Sequence, residues 1–361
     1  MRIVNICNGF SKISSTLFVI SIVCLHLSCA KSKEENKGKV YTLISVTNGQ
    51  RGYLDGPVTS AKFEEVGGLT IDENDNIYNA QEDYPRIRKI TPNGYVSTLA
   101  GDGTVGNVNA QGVSAKLGRI HFCAADGLGN VYIADATYNQ IRKIDQGGNV
   151  SLFASVNGSA SPITGIKVGP LGNIYIHDAF SISKYNTLGM LIWKLTSHDD
   201  PLSPSPYDFD GDTSVARFRA YGGIEIDNTE TNIYFSQAFV SAGRCTTIKK
   251  LDLNARTVKT IAGDGSVGNS SGPALSAKFN LISSILLDNT GGLYIADGFA
   301  NRIAYLKDGV VSTILGGSPG DVDGDASIAQ IWYPLGLAMD SNGDIFIGCR
   351  GNNKIKKLLI D

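Results

Sequence analysis

The sequence contains little of what most catalytic and redox sites use. Histidine, cysteine, methionine and tryptophan occur 4, 6, 3 and 2 times in 361 residues. There is no Cys-x-x-Cys pair, no phosphate-binding glycine loop and no nucleophile elbow, so these motifs give no enzyme class. A formal net charge of −2 gives no electrostatic case for nucleic-acid binding, and we expect no nucleic-acid partner.

The few cysteines do not predict a disulfide framework. Cys7 and Cys24 lie in an N-terminal segment that we expect to be removed. Cys123, Cys245 and Cys349 fall in three different repeats, which a closed ring would hold far apart. We expect Cys123 and Cys349 to be small buried hydrophobic residues in strands.

A long apolar run occurs at the N-terminus. Arg2 and Lys12 precede an apolar stretch over residues 13–27, and Cys29 follows two residues after it. The stretch is too short for a comfortable membrane span and is typical of a processing segment. The polar, charged residues that follow lack large apolar groups, which predicts a flexible segment.

This N-terminus resembles a bacterial lipoprotein signal peptide. The resemblance implies a signal peptide over residues 1–28, acylation of Cys29 and a lipid-anchored flexible tether over residues 29–39. It also implies an exported protein, held on the outer membrane at its periplasmic or surface face, with the lipid anchor as its membrane contact. Ordinary secretion with cleavage nearby is the alternative.

Beyond the tether, one order of short strands is repeated six times. Each repeat begins with an apolar strand that ends in a turn, followed by a strand rich in Ile and Tyr. A third strand alternates cations with aliphatic residues, and a fourth strand closes the unit. The copies of the first strand lie at residues 68–72, 122–126, 165–169, 223–227, 284–288 and 336–340.

The last repeat has no fourth strand, and an unpartnered copy of that strand lies at residues 40–44. The simplest interpretation is that this segment pairs with the final repeat, which removes two exposed sheet edges. The sequence therefore predicts an all-β fold: a six-bladed β-propeller of four-stranded blades over residues 40–361. The ring is closed by the N-terminal strand pairing with the last blade.

The best-preserved copies read Gly-Asn-Val-Tyr-Ile-Ala-Asp at residues 129–135, Asn-Gln-Ile-Arg-Lys-Ile at 139–144 and Val-Ser-Thr-Leu-Ala-Gly at 96–101. This pattern resembles the NHL-repeat family over roughly residues 40–361. The resemblance implies a propeller fold and rarely an activity.

Repeated polar residues predict structure more than chemistry. Asp135, Asp178 and Asp297 recur at equivalent strand ends and are expected to fix the next turn. The Arg-Lys pairs of the third strands are expected to form a solvated edge. Asp-Gly loops between blades are expected to be turns, although acids at alternate positions in two copies leave Ca²⁺ binding as an alternative.

The candidate ligand-binding residues are those at which one copy differs from its equivalents. Propellers usually bind at the end of the central channel where the loops into the innermost strands converge. The candidates in those loops, and in the loops after the second strands, are Glu65, Arg119, His121, His177, Tyr221, Tyr333 and Arg350. The second group of loops also offers Glu82, Asp83 and Phe299. This mixture suits a sugar or a peptide segment.

We therefore expect a monomeric cell-envelope lipoprotein whose propeller is a binding scaffold for a protein or glycan ligand. A metal-dependent lactonase- or lyase-like enzyme is the alternative, because related six-bladed propellers include such enzymes. A three-histidine zinc site would need His121, His177 and His198 together, and His198 lies outside the strand pattern. The sequence thus assigns no catalytic residue, no metal ligand and no cofactor.

Overall fold

The structure, a computed structural model, describes residues 38–44, 51–158, 161–198, 209–239 and 244–360. The predicted signal peptide, Cys29 and the tether up to residue 37 lie outside these residues. The part described is all-β, with short 3-10 turns at Gly112–Ser114 and Ala274–Ser276. Within it, no helix has the length and apolar character needed to cross a membrane.

The strands follow one another along the chain in short antiparallel steps. In order they are β1 (Lys39–Ile44), β2 (Gly56–Pro57), β3 (Leu69–Ile71), β4 (Ile77–Gln81), β5 (Arg86–Ile90), β6 (Tyr95–Ala100), β7 (Ile120–Ala125), β8 (Val131–Asp135), β9 (Gln140–Ile144), β10 (Val150–Ser155), β11 (Gly165–Val168), β12 (Ile174–Asp178), β13 (Ser181–Tyr185), β14 (Leu191–Thr196), β15 (Gly211–Asp212), β16 (Ala220–Ile226), β17 (Asn232–Phe239), β18 (Arg244–Asp252), β19 (Thr257–Ala262), β20 (Gly272–Pro273), β21 (Ile282–Leu287), β22 (Leu293–Asp297), β23 (Arg302–Lys307), β24 (Val310–Gly316), β25 (Gly324–Asp325), β26 (Pro334–Met339), β27 (Ile345–Cys349) and β28 (Lys354–Leu358).

These strands form six sheets, one for each blade. Every blade contains the four strands that the repeat predicts, and four blades carry an additional two-residue strand from an inter-blade loop on their outer edge. The innermost strands of the six blades are β3, β7, β11, β16, β21 and β26. The fold is the predicted six-bladed β-propeller.

The N-terminal strand belongs to the last blade. β1 pairs antiparallel with β28, with Val40 opposite Leu358 and Thr42 opposite Lys356. Its other side pairs with the short strand β25. Val40 is fully buried in the apolar core of this blade. The predicted pairing of residues 40–44 with the final repeat is confirmed.

A single carboxylate organises the turn between the first and second strands of blade 1. Asp72 accepts backbone N–H groups of Asn74 and Asn76 at 2.9 Å each, and the hydroxyl of Tyr78 donates to it at 2.9 Å. A side chain that satisfies several donors in this way holds a tight turn without further contacts. The acid at this position of the repeat therefore has a structural role.

The aspartates that end the second strands also have a structural role, as predicted. In the turn that follows, Asp135 accepts the backbone N–H of Tyr138 and Asp178 that of Phe180, whereas Asp297 accepts that of Asn280 in the loop that leads into β21. Burial raises the pKa of Asp135 and of Asp297, because it disfavours the charged form.

The prediction that the Arg-Lys pairs form a solvated edge is wrong for the first member of each pair. These side chains are fully buried: Arg88, Arg142, Lys249 and Lys356. Arg88 donates to the carbonyl oxygens of Lys62 at 2.8 Å and Leu54 at 3.0 Å, and pairs with Asp55 at 2.8 Å. The cation faces an inter-blade loop whose carbonyl groups need donors, which sequence periodicity alone does not reveal.

The middle acid of each of the two acid-rich loops pairs with one of these buried cations. Asp210 accepts from Lys249 at 2.5 Å and from the backbone N–H of Thr260 at 2.8 Å. Asp323 accepts from Lys356 at 2.7 Å. Asp210 and Asp323 therefore neutralise cations that would otherwise be buried without a counter-charge.

Blade 3 departs from the repeat, because Gly169 occupies the position of the organising aspartate. Glu230 reaches across from blade 4 and takes its place. Its carboxylate accepts from Asn173 at 2.7 Å, Tyr175 at 2.8 Å and Lys184 at 2.9 Å. A Cβ on Gly169 would lie 2.4 Å from Glu230 Oε1, so this exchange depends on the glycine.

Two of the three cysteines beyond the tether are buried free thiols, as predicted. Burial raises the pKa of both Cys123 and Cys349 to about 12. Such thiols are inert, because the thiolate is the reactive form. The side chain of Cys245 lies outside the described residues.

Candidate functional site

The two ends of the channel differ in what forms them. One end, here called the mouth, carries the loops that lead into the first strands and the loops that join second to third strands. The other end, the turn face, carries the tight turns between first and second strands and between third and fourth strands. Between them lies a cavity of about 120 Å³, lined by residues from all six innermost strands.

Arg350 is the centre of an ion cluster at the mouth. Its guanidinium lies 2.6 Å from Glu65, 3.4 Å from Glu82 and 3.8 Å from Asp83. The arginine follows the second strand of blade 6, and the acids belong to blade 1. The cluster therefore joins the last blade to the first across the mouth.

Glu65 is the buried carboxylate of this cluster. One carboxylate oxygen accepts the backbone N–H groups of Glu82 at 3.1 Å and Asp83 at 3.0 Å. The other oxygen faces Arg350. A carboxylate with these partners holds the loop after β4 in place and orients the acids on it.

Glu82 connects the cluster to blade 2. Its carboxylate lies 3.3 Å from His121 Nδ1. The hydrogen bond to His121 lowers the pKa of Glu82, and the charges of His121, Arg350 and Arg119 act in the same direction, whereas burial opposes them. Glu82 is therefore ionised at neutral pH.

Aromatic rings continue the mouth beside Arg350. Phe299 and Tyr333 are stacked, with ring centroids 5.2 Å apart and planes 11° apart. Tyr333 has a left-handed φ of 51°, and its backbone N–H donates to Asn301 Oδ1 at 2.9 Å. Because the Arg350 N–H donates to the Tyr333 carbonyl at 3.0 Å, the rings and the ion cluster are adjacent.

The remaining mouth candidates lie apart from this cluster or at its rim. Arg119 is exposed and close enough to Glu82 to lower its pKa. Tyr221 is 44% exposed on blade 4, which stands opposite blade 1 in a ring of six. Of the seven predicted residues, the structure brings together Glu65, Arg119, His121, Tyr333 and Arg350.

His177 is an interior residue in this structure. It is fully buried, with Nε2 3.1 Å from the Gly222 carbonyl and Nδ1 3.3 Å from the Thr164 hydroxyl. Burial lowers its pKa to about 4, so the ring is neutral at neutral pH. A Cβ on Gly165 would lie 2.1 Å from Nε2, which explains the glycine beside it. The ring joins blades 3 and 4.

Sequence reasoning missed an ion pair on the innermost strands. Lys167 Nζ lies 2.7 Å from Glu225 Oε1, and both residues line the channel cavity. Burial raises the pKa of Glu225, and Lys167 opposes that shift. The sequence does contain a signal for this pair, because Lys167 and Glu225 are charged at a position that is uncharged in the other copies. The equivalent residues there are Thr70, Ala124, Leu286 and Ala338.

The histidines of the metal alternative are not assembled by the part of the chain that the structure covers. His121 lies beside Glu82, and His177 is buried between blades. His198 follows β14, where its N–H donates to the Ala216 carbonyl. Among the described residues, no group of three or more His, Cys, Asp or Glu side chains has an arrangement that could hold a metal ion.

The NHL repeat family matches residues 332–358, which contain all of β26, β27 and β28. This match lies in the last of the six blades. The chain carries an NHL repeat in a six-bladed β-propeller.

The chain is 27% identical over 286 residues to the protein SUPPRESSOR OF QUENCHING 1, chloroplastic, of Arabidopsis thaliana. The match covers 72% of this chain and 26% of the plant protein, so the chain spans about a quarter of that relative's length.

Two solved structures show the same fold at low identity. An auxiliary nutrient binding protein from Bacteroides thetaiotaomicron is 18% identical with a TM-score of 0.66, covering 88% of this chain and 75% of that one. A gluconolactonase from Xanthomonas campestris is 14% identical with a TM-score of 0.54, covering 88% of each chain. At these identities the likeness extends to the fold.

Proposed function

We propose that the NHL propeller is an exported, lipid-anchored binding protein of the cell envelope that holds a glycan or peptide ligand at its mouth. The observation that carries this proposal is the ion cluster of Arg350 lying directly beside the Phe299–Tyr333 stack. These side chains stand where the six copies of the repeat disagree, so building a blade does not require them.

The charges of the mouth suit a polar ligand without strong charge. Arg350 and Arg119 stand against Glu65, Glu82 and Asp83, so the two signs nearly balance. Carboxylates accept hydrogen bonds from ligand hydroxyl or amide groups, and a guanidinium donates to ligand oxygens. Sugar hydroxyls and peptide amides offer both kinds of partner.

The aromatic stack supplies the apolar part of such a site. Phe299 is 48% exposed, so its ring presents a surface on which a sugar face or a peptide side chain can pack. Binding sites commonly combine one rigid aromatic surface with a few fixed polar groups. The fold's likeness to a protein named as nutrient binding is compatible with this role.

Screening the purified chain on glycan and peptide arrays tests this proposal. We expect a ligand whose affinity falls at least about tenfold in Phe299→Ala, because central aromatic contacts carry much of the binding free energy. Tyr95→Ala is the matched control. Tyr95 is an aromatic residue of similar exposure, 51%, at the start of β6 on the turn face, and its loss should leave affinity unchanged.

Equal losses of affinity in Phe299→Ala and Tyr95→Ala would show that the mouth is not the ligand-binding site. Turnover of a lactone that is abolished by His121→Ala would instead favour the lactonase-like alternative.

A further inference from the structure

Three leucines on the turn face are almost fully exposed. They are the three most exposed large apolar side chains among the described residues: Leu188 at 77%, Leu128 at 72% and Leu171 at 68%. All three lie in blades 2 and 3. Single exposed apolar residues are ordinary, but three on neighbouring turns indicate an interaction site.

The three leucines occupy the same position in the same kind of turn. Each is the third residue of a four-residue turn closed by a backbone hydrogen bond of 2.9–3.0 Å. A glycine with a left-handed φ of 76–79° follows each leucine: Gly129, Gly172 and Gly189. The backbone therefore fixes each side chain on the surface.

Turn formation does not require leucine there. Six other hydrogen-bonded turns on this face have small or polar residues at the third position: Asn74, Asn93, Gly147, Thr229, Thr290 and Asn342. Because these turns close with similar geometry, the leucines serve something other than folding.

The three turns that carry the leucines border one groove. A groove of about 610 Å³ is lined by Leu128 together with Pro170, Gly172 and Thr187, which are the chain neighbours of the other two leucines. Met190 and Ile192 are also more than half exposed beside Leu188. We call Leu128, Leu171, Leu188, Met190 and Ile192 the leucine face.

The described chain begins on the same end of the propeller. The Gly38 N–H donates to the Leu359 carbonyl at 2.9 Å, and the Ile360 N–H donates to Asp344 at 3.1 Å. Asp344 lies in the turn before β27, whereas Arg350 follows the other end of that strand. The N-terminal strand therefore starts at the turn face, and the mouth is at the opposite end.

The predicted tether is short compared with the propeller. Nine residue steps separate Cys29 from Gly38, and they span at most about 32 Å when extended. An acyl chain on Cys29 would therefore hold the turn face near the lipid surface at a high effective concentration. Blade 6 carries the tether, and blade 3, opposite it in the ring, carries most of the leucine face.

We propose that the leucine face is a second membrane contact, which inserts its exposed leucines into the interfacial region of the lipid surface. Together with the tether it lays the turn face on the membrane and directs the mouth away from it. The orientation rests on the lipid anchor of the proposed function, whereas the affinity of the leucine face for lipid does not.

Vesicle binding by the chain that begins at residue 30 tests the contact alone. This chain keeps every described residue and omits the signal peptide and the acylation site. With vesicles of uncharged phosphatidylcholine and phosphatidylethanolamine, we expect weak, reversible binding that persists at about 0.5 M NaCl, since apolar contacts are not screened. Replacing Leu128, Leu171 and Leu188 with Asn should lower the partition coefficient at least about tenfold.

The matched control replaces three apolar residues of equivalent inter-blade loops, namely Leu54→Asn, Val108→Asn and Val322→Asn. These side chains are 43–46% exposed beside the buried cations of the third strands, and binding should be unchanged. The same partition coefficient in both triple variants, or no binding by the parent chain, overturns the proposal. A dimer in sedimentation that only the leucine variant loses would identify a second copy as the occupant instead.

Discussion

A chain that begins at residue 45 should fail to form a stable propeller, whereas a chain that begins at residue 38 should unfold at the same temperature as the full chain. The shorter chain lacks β1, which lies between β28 and β25 in the last blade. It loses the buried side chain of Val40, worth about 1.5–3 kcal/mol, and the whole ladder with β28.

The exposed edge adds a second consequence. Without β1, the backbone N–H and C=O groups of β28 become a template for pairing with another chain. We therefore expect aggregation on concentration, visible by light scattering, together with loss of a cooperative thermal transition. A soluble monomer with an unchanged transition would show that β1 does not complete the last blade in solution.

Glu230→Ala should destabilise the propeller by about 3–5 kcal/mol, because it leaves the partners of a buried carboxylate unpaired. Lys184, Tyr175 and Asn173 all donate to Glu230. The free energy of unfolding in urea measures this loss. The effect on stability should be large although Glu230 lies outside the mouth.

Adding Gly169→Asp to Glu230→Ala should recover much of the stability. It restores to blade 3 the local aspartate that Asp72 supplies in blade 1. Gly169→Asp alone should destabilise, because its Cβ would lie 2.4 Å from the Glu230 carboxylate and bring a second negative charge. The double variant should therefore be more stable than either single variant; additive losses would mean that the two positions do not exchange roles.

The architecture could be predicted because each copy of the repeat shows the same order of strands and turns. The strand order, the isolated segment at residues 40–44 and the aspartates at strand ends are local patterns, and the structure confirms them. Local hydrogen bonds within one turn, such as those of Asp72, are legible from residues a few positions apart.

Burial of charged residues could not be predicted from the same patterns. Arg88 alternates with aliphatic residues as a solvated cation would, yet it is enclosed by carbonyl groups of a loop some 26–34 positions earlier. Glu230 substitutes for an acid missing from another blade, 61 positions away. Both depend on which loop packs against which strand.

The candidate site could be predicted from the sequence only in part. Positions at which copies disagree gave Glu65, Arg119, His121 and Arg350, which the structure brings together at the mouth. The same rule also selected His177, whose ring replaces the small residue of other blades and fills an interior gap. Disagreement between copies marks a special position, but burial decides whether that position can meet a ligand.

The central claim is that positions repeated in every copy build the blades, whereas positions that differ between copies bind the ligand. Comparing Arg119→Gln with Arg142→Gln tests this claim most directly. Both arginines belong to blade 2, but Arg119 is exposed at the mouth and Arg142 is fully buried among carbonyl groups at 2.7–2.8 Å. Arg142→Gln should lower the thermal midpoint by roughly 5–10 °C while the folded fraction still binds the ligand. Arg119→Gln should weaken ligand binding several-fold with the midpoint unchanged, and the reverse pattern would contradict the account.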